Sequence, residues 1–496
     1  MTGGAKDDRW FSDELVRPDG SAWDLLVIGG GTAGLVAAMS AAGVGASVLL
    51  LESERTGGDC LWTGCVPSKA LLSAAHAVAD ARASSQLGVT VGEVVVDFAA
   101  VMDHVRWAIA TIEPVDSPAA LRAAGVKVAN TTGVLTGPHT AMADGVPIRF
   151  RQALLATGTQ AAVPPIPGLA GAALTNDTIF SLSRLPARLL VLGGGSIGCE
   201  LGQAFARLGS AVTIVEASPG LLPHEDVDAA DVLTEALTED GIDIRVSASL
   251  ERVTPSGDGW AARLADGETI EVDDILVAIG RAPRTEELGL RVAGVDLNAE
   301  GFVRVNSRLQ TSNPRIWAAG DVTGRPAFTH VAGVDGTLAA MNAVLGLRRT
   351  VDTATIPRVT FTQPEVAAMG VDLEQARRRG LTVRTVQHTD VDRAIAERRT
   401  EGFSRLVLDR RGRVVGATIV GRRAGESLAE LVLAARHGLR GRDIAASMHA
   451  YPTYGDGGWK AGITHTRGQL STPMMRVVIR YAAALRRRRL SRTPDD

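Results

Sequence analysis

Asp24-Leu25-Leu26-Val27-Ile28-Gly29-Gly30-Gly31-Thr32-Ala33-Gly34 is a short apolar run that passes directly into three spaced glycines, Gly29, Gly31 and Gly34. The run reads as a buried strand and Leu35–Ala42 as a helix; a second strand, Ala46–Leu51, then ends on Glu52. Strand, glycine turn, helix and acidic strand end are the parts of a dinucleotide-binding unit. The glycines permit a tight turn and close approach of a pyrophosphate to the helix N-terminus, and the carboxylate takes the ribose hydroxyls. The same order recurs downstream as a strand Arg188–Leu192, then Gly193, Gly195 and Gly198, a helix through Leu208, a strand Ala211–Val215, and Glu216. Glu52 and Glu216 each stand 18 residues beyond the third glycine of their own motif. Two such units predict an α/β fold with two Rossmann-like domains and two nucleotide cofactors.

Just after the first unit, Gly57-Gly58-Asp59-Cys60-Leu61-Trp62-Thr63-Gly64-Cys65-Val66-Pro67-Ser68-Lys69 holds two of the chain's 3 cysteines. The spacing lets Cys60 and Cys65 close a small ring on one helical turn. Near a helix N-terminus, the dipole and free N–H groups favour a thiolate. Beside a nucleotide-binding unit, the pair reads as a redox disulfide that exchanges electrons with a bound cofactor. Reduced core cysteines are the bland alternative. The Asp59 carboxylate disfavours a thiolate on Cys60 unless a cation offsets it.

At 496 residues the chain is long enough for about three domains. With 45% hydrophobic and 22% charged residues it reads as globular, with real cores. A net charge of −3 argues against nucleic acid as a partner. So few cysteines exclude a structural disulfide framework and point to a reducing, cytoplasmic setting. Residues 1–21 show no basic start with an apolar run, so no secretion signal is read there. No apolar stretch reaches the roughly 18 residues of a membrane span. The cysteines and scattered histidines form no ligand-spaced cluster, and no bound metal is expected.

The Gly57–Lys69 stretch resembles the redox-active motif of the flavoprotein disulfide reductases, the class I pyridine nucleotide-disulfide oxidoreductases. Ala156-Thr157-Gly158 and Ile279-Gly280-Arg281 resemble that family's exit from and return to the flavin domain, and Ala319-Gly320-Asp321 resembles its Ala-Gly-Asp motif. The resemblance runs from about Trp23 to Gly468. It implies an N-terminal arm (1–22), an FAD-binding domain in two parts (23–158 and 281–352) and an NAD(P)-binding domain inserted between them (159–280). A C-terminal α+β dimerisation domain (353–470) and a basic tail (471–496) follow. FAD is then held by Gly29, Gly31, Gly34, Glu52, Gly58, Lys69, Thr157, Gly158, Gly280, Gly320 and Asp321. The nicotinamide cofactor is held by Gly193, Gly195, Gly198 and Glu216. By the same resemblance, Cys60 is the interchange thiol that meets the acceptor and Cys65 the charge-transfer thiol beside the flavin. Lys69 and Glu200 form an ion pair next to them. The assembly implied is a homodimer in which the partner's C-terminal domain completes each active site. Glu216, with no arginine in Ala217-Ser218-Pro219-Gly220, favours NAD(H) over NADP(H), because a carboxylate accepts from a 2′-hydroxyl and repels a 2′-phosphate.

The chain departs from the family pattern in two places. Asp59 replaces the usual Thr and, with Trp62, resembles the mercuric-reductase-like branch more than dihydrolipoyl dehydrogenase. Met448–Asp456 occupies the place of the His-x-His-Pro-Thr-x-x-Glu motif, whose second His is the base on the dithiol and whose Glu orients it. Tyr451 and Asp456 stand at those two positions. Tyrosine, with an ordinary pKa of about 10, is no ready base at neutral pH, but it donates a hydrogen bond or sits beside a metal ion. His449 is the alternative base, displaced by two residues. The sequence also holds neither a Cys-x-x-Cys metal-carrier motif nor a C-terminal Cys-Cys pair. The expected reaction passes electrons from NAD(P)H through FAD and the Cys60–Cys65 disulfide to a small-molecule or metal-ion acceptor. Dihydrolipoyl dehydrogenase is the alternative; a flavin-binding NADH oxidase or sensor module with structural cysteines is the lesser one. In 474–490, Val477, Val478, Tyr481 and Leu485 precede Arg486–Arg489. A docked or solvated helix is favoured there over one lying on an anionic membrane.

Overall fold

The structure, a computed structural model, describes residues 15–490. Residues 1–14 of the expected arm and 491–496 of the expected tail lie outside the described residues. The described chain is mixed α/β and forms two compact units. One comprises the residues up to Pro219 together with Asp240–Asp352; the other comprises Gly220–Glu239 and the residues from Thr353 onward.

In the first unit the opening strand lies in the middle of a sheet. Trp23–Ile28 pairs in parallel with Val48–Glu52 on one side and Val146–Leu155 on the other. Lys127–Asn130 and Ile316–Ala318 extend the sheet in parallel. A strand covered on both faces needs apolar residues throughout instead of alternation, and Leu25, Leu26 and Val27 are fully buried. The pairing of Ile316–Ala318 with Val146–Leu155 closes one sheet from segments on both sides of 159–280. The second glycine unit builds its own parallel sheet, in the order Asp243–Arg245, Ala211–Val215, Arg188–Leu192, Asp274–Val277, Ala173–Leu174. Thr159–Ala161 pairs antiparallel with Arg281–Pro283, so the chain leaves for this sheet and returns from it side by side.

The second unit carries a five-stranded antiparallel sheet in the order Pro357–Thr360, Glu365–Gly370, Val414–Gly421, Phe403–Leu408, Thr382–Gln387. Leu428 and Leu431 of the Ala424–Arg436 helix share a core with Leu406, Leu408 and Ile419 of the sheet. Asp226 is buried against this sheet. It accepts from Arg405 Nη1 at 3.0 Å, Thr418 Oγ1 at 2.9 Å and the Leu373 N–H at 2.8 Å. Among the described residues no helix is long and apolar enough to cross a membrane.

One local expectation is corrected. Cys60 and Cys65 do not share a helical turn: Cys60 lies in the short helix Gly58–Trp62, and Cys65 opens the helix Cys65–Ala83. The chain turns sharply between them at Gly64, where a Cβ would stand 2.7 Å from the Asp59 carbonyl oxygen. Pro114 lies inside the helix Phe98–Asp116. So near the end, a missing N–H costs only one backbone bond. The break comes at Ser117, whose hydroxyl accepts from the Ala120 N–H and caps Pro118–Ala123.

Candidate active site

The two glycine turns are copies in detail. The helices Thr32–Gly43 and Ser196–Leu208 both start behind an extended glycine, Gly31 (φ −77°, ψ −175°) and Gly195 (φ −75°, ψ −176°). Neither start has a side-chain cap or an acidic residue in its first turn, which leaves first-turn N–H groups for an anion. The outer glycines are required by close backbone approach. A Cβ at Gly34 would lie 1.9 Å from the Gly29 carbonyl oxygen, and one at Gly198 1.9 Å from that of Gly193. At the middle positions nothing stands closer than 3.8 Å, so a pyrophosphate can approach. Glu52 accepts from the Gly30 N–H at 2.6 Å and Glu216 from the Gly194 N–H at 2.6 Å. Each carboxylate thus ties its turn to its strand end and keeps lone pairs for a ribose. These residues fit a dinucleotide at both turns. Arg245, whose carbonyl accepts from the Glu216 N–H, gives its guanidinium to Asp243 and Glu268.

The cysteine helices lie against the first turn. A Cβ at Gly58 would meet the Cα of Gly31 at 2.6 Å, so only glycine allows this approach. Cys65 is the first residue of its helix, behind an uncapped Gly64. Its sulfur is hydrogen-bonded by Cys60 and lies 3.1 Å from the Thr329 hydroxyl oxygen. The Cys60 bond, with help from Thr329 and Lys69 and against the opposing effect of burial, holds the Cys65 thiol down at about 6. The same bond, with burial and the charge on Cys65, pushes the Cys60 thiol well above its ordinary range. The neighbouring Cys60 thiol, Thr329 and Lys69 thus favour negative charge on Cys65. Lys69, one turn along from Cys65, sits 2.8 Å from Oε2 of the buried Glu200. The third cysteine, Cys199, is fully buried, and burial raises it.

Asp59 has the cation that its place beside Cys60 calls for. Its carboxylate accepts from Arg281 Nη2, and the same guanidinium donates to the Thr159 hydroxyl at 2.6 Å and the Thr159 carbonyl at 3.0 Å. The Thr159 hydroxyl in turn donates to Asp321 Oδ2 at 3.1 Å. Burial raises the Asp321 pKa, with Arg281 opposing. Thus the exit strand, the return strand, the Ala-Gly-Asp turn and the Cys60 helix are tied together. Thr157, Gly158 and Gly280 lie at the ends of that exit and return pair, with Thr157 Oγ1 donating to the Arg284 carbonyl at 2.7 Å. Sequence reasoning missed Thr159 and Thr329 as neighbours of the site. Thr329 lies 264 residues from Cys65, with no local motif to flag it.

In the second unit Tyr451 is exposed, and its hydroxyl donates to Asp392. That bond raises the phenol's pKa and keeps it a neutral donor. Lys460 Nζ holds the other Asp392 oxygen at 3.2 Å. Asp456 does not hydrogen-bond Tyr451. It is fully buried and accepts from the Thr453 N–H at 3.3 Å and the Thr453 hydroxyl at 3.4 Å, which secures the turn. His449 stacks on Trp459, with Nε2 2.9 Å from Glu430 and Nδ1 3.0 Å from the Ser447 carbonyl. Both ring nitrogens are thus turned toward Glu430 and the Ser447 carbonyl. Among the described residues no group of three or more His, Cys, Asp or Glu is placed to hold a metal ion.

Comparison with known proteins adds to this geometry. Residues 23–336 match the family model described as pyridine nucleotide-disulphide oxidoreductase, and residues 356–461 match its dimerisation domain. The chain is 34% identical to dihydrolipoyl dehydrogenase of Geobacillus stearothermophilus, over 87% of this chain and 94% of that protein. It is 36% identical to mercuric reductase of Streptomyces lividans, over 87% and 94% of the respective chains. Among solved structures, the Cu(II) complex of the HOCl-induced flavoprotein disulfide reductase RclA from Escherichia coli is similar with a TM-score of 0.79 at 28% identity. That match covers 87% of this chain and 98% of that one.

Proposed function

The chain belongs to the pyridine nucleotide-disulphide oxidoreductase family, and on that premise we propose that it passes electrons from NADH to a soft metal ion. The observation that carries this reading is that each of the two candidate bases, Tyr451 and His449, is already engaged by other groups. Tyr451 donates its hydroxyl hydrogen bond to Asp392, and both nitrogens of His449 face acceptors. FAD, when bound, supplies the two-electron relay between the nicotinamide and the disulfide. Two electrons and one proton open the Cys60–Cys65 bond. The charge stays on Cys65, where the helix N-terminus, Cys60, Thr329 and Lys69 favour it, and the proton goes to Cys60. Cys60 then meets the acceptor; passing on two electrons re-forms the S–S bond and releases the proton. A metal ion takes these electrons without a proton being removed from it.

The likeness to a mercuric reductase and to a flavoprotein whose structure holds Cu(II) supports the metal-ion acceptor. The equally extensive likeness to a dihydrolipoyl dehydrogenase supports a second reading, with a dithiol–disulfide couple as acceptor. Glu216, held by the Gly194 and Ser218 N–H groups, and Arg245, engaged by Asp243 and Glu268, support NADH over NADPH. The dimerisation-domain match supports a homodimer. The test is one anaerobic panel on FAD-loaded protein with NADH or NADPH against Hg²⁺, Cu²⁺ and lipoamide. NADH-driven metal-ion reduction is expected, and it should fall about 100-fold or more in Cys60→Ser. Unchanged metal-ion turnover in that variant overturns the proposal.

A further inference from the structure

Pro473–Leu490 is an 18-residue helix that lies beyond residue 461, where the match to the dimerisation domain ends. It is not docked, as one of the favoured sequence readings had it: every residue of it is exposed except the half-buried Met475. Met474 is 74% exposed, Val477 67% and Tyr481 68%. At about 100° per residue, Met474, Val477, Val478, Tyr481 and Leu485 project over an arc of roughly 100°. Arg476, Arg480 and Arg487 share an arc of about 40° on another face. Arg486, Arg488 and Arg489 crowd the last turn, where basic side chains suit the helix dipole. The helix holds six arginines and no acidic residue. Isolated helices of this length are marginal in water, so an apolar face of this kind calls for a cover.

The charge pattern decides which cover. Two copies of this helix laid together would bring arginines against arginines, with no acidic residue to pair them. No ion pair can form within the helix either. A soluble acidic partner would match the charge of Arg476, Arg480 and Arg487 but would also need an apolar groove for Met474, Val478 and Leu485. An anionic bilayer supplies both in one surface: acyl chains for the apolar stripe, Tyr481 included, and phosphates for guanidinium groups that extend along the interface. We infer that Pro473–Leu490 docks this protein on the surface of an anionic phospholipid membrane, lying in its plane. The helix is one that cannot span, in keeping with the absence of any membrane-crossing helix among the described residues.

The test uses the full-length, FAD-loaded protein and flotation with two kinds of vesicle. One is pure phosphatidylcholine; the other contains roughly one-third phosphatidylglycerol, enough to give a negative surface. Binding is expected to the anionic vesicles only, weakening as salt rises. Val478→Asp/Leu485→Asp should reduce vesicle binding about tenfold or more, and Arg476→Gln/Arg480→Gln/Arg487→Gln should do likewise. Neither variant should change NADH turnover with ferricyanide or the melting temperature, since no side chain altered packs in a core. Failure of the wild type to float, equal binding to neutral vesicles, or undiminished binding by the aspartate variant each overturns the inference. So does a change of oligomeric state in the aspartate variant with unaltered lipid binding, which would make a second copy the true cover.

Discussion

At the Cys60–Cys65 pair a single hydrogen bond separates two chemically similar thiols. It lowers Cys65 to about 6 and raises Cys60. The sign fixes a pH dependence. Thiolate-specific signals of Cys65, such as long-wavelength absorption in the two-electron-reduced protein, should be full above pH 7 and fade as pH falls through about 6. Cys60→Ala removes the largest cause of the shift and should move that midpoint upward, toward the ordinary thiol value; Thr329→Val should do so less. A midpoint unmoved in Cys60→Ala would place the cause elsewhere. Asp59 poses a second residue-scale question. Its departure from the family's Thr was visible in the sequence, and so was Arg281, but they are 222 residues apart and only the fold joins them. Arg281→Met leaves a carboxylate without its cation beside Cys60, and Asp59→Thr leaves the guanidinium with only Thr159 and, at 3.9 Å, Asp321. Each single change should destabilise the protein, and Asp59→Thr/Arg281→Met should recover part of the loss. A coupling of about 1 kcal/mol is expected for a pair this accessible, read from melts in a double-mutant cycle. Iodoacetamide capture of Cys60 should slow in Arg281→Met and quicken in Asp59→Thr. Shifts of the same sign in both would mean that the pair acts only by holding shape.

The elements carrying glycine motifs were legible nearly to the residue. The strands at 188–192 and 211–215 and the helix ending at Leu208 stand where the apolar runs and glycines placed them. Such segments declare themselves because both faces of a central strand are buried and the turn tolerates only glycine. The cysteine segment was read less well. Its break at Gly64 comes from a backbone turn against the Asp59 carbonyl, which composition does not encode. Less legible still was the grouping of Gly220–Glu239 with the antiparallel sheet, since the anchoring contact joins Asp226 to Arg405, 179 residues away. That contact carries a prediction at this scale. Arg405 and Asp226 are both buried, and Thr418 and Leu373 complete the carboxylate's bonds. Asp226→Ala would leave a buried guanidinium short of its main partner. The expected cost is about 3–5 kcal/mol, or a melting point lower by roughly 10 °C. Asp226→Asn, which keeps an acceptor, should cost less. A melting point within a degree of wild type for Asp226→Ala would show that Asp228, which also bonds Arg405, carries the pair alone.

For the whole molecule, the open matter is which acceptor a shared electron path serves. The nucleotide turns, the cysteine pair and Lys69–Glu200 are common equipment, and the chain is about as similar to a dihydrolipoyl dehydrogenase as to a mercuric reductase. On the proposed reading, discrimination falls to the second unit, where the sequence showed Tyr451 in the place of a histidine and the structure shows its surroundings. Asp456, at the position that would orient a base, is spent on Thr453, and Tyr451 is held by Asp392. His449 is fixed between Glu430 and the Ser447 carbonyl. Dihydrolipoamide must lose a proton before it can be oxidised, and a missing general base costs about 100- to 10,000-fold, or roughly 3–5 kcal/mol of barrier. NAD⁺-dependent oxidation of dihydrolipoamide by the wild type at pH 8 should accordingly be slower by that margin than its metal-ion reduction. Tyr451→His should raise it only by about tenfold, because the carboxylate that would set the new imidazole's tautomer is already engaged. Metal-ion reduction should fall in the same variant, while His449→Gln should leave both rates near wild type. Fast dihydrolipoamide oxidation by the wild type would mean that a base other than Tyr451 and His449 reaches the thiol, and the dithiol reading would replace the metal-ion one. Fast oxidation lost in His449→Gln would mean that His449 leaves Glu430 when substrate binds, and would name it as that base.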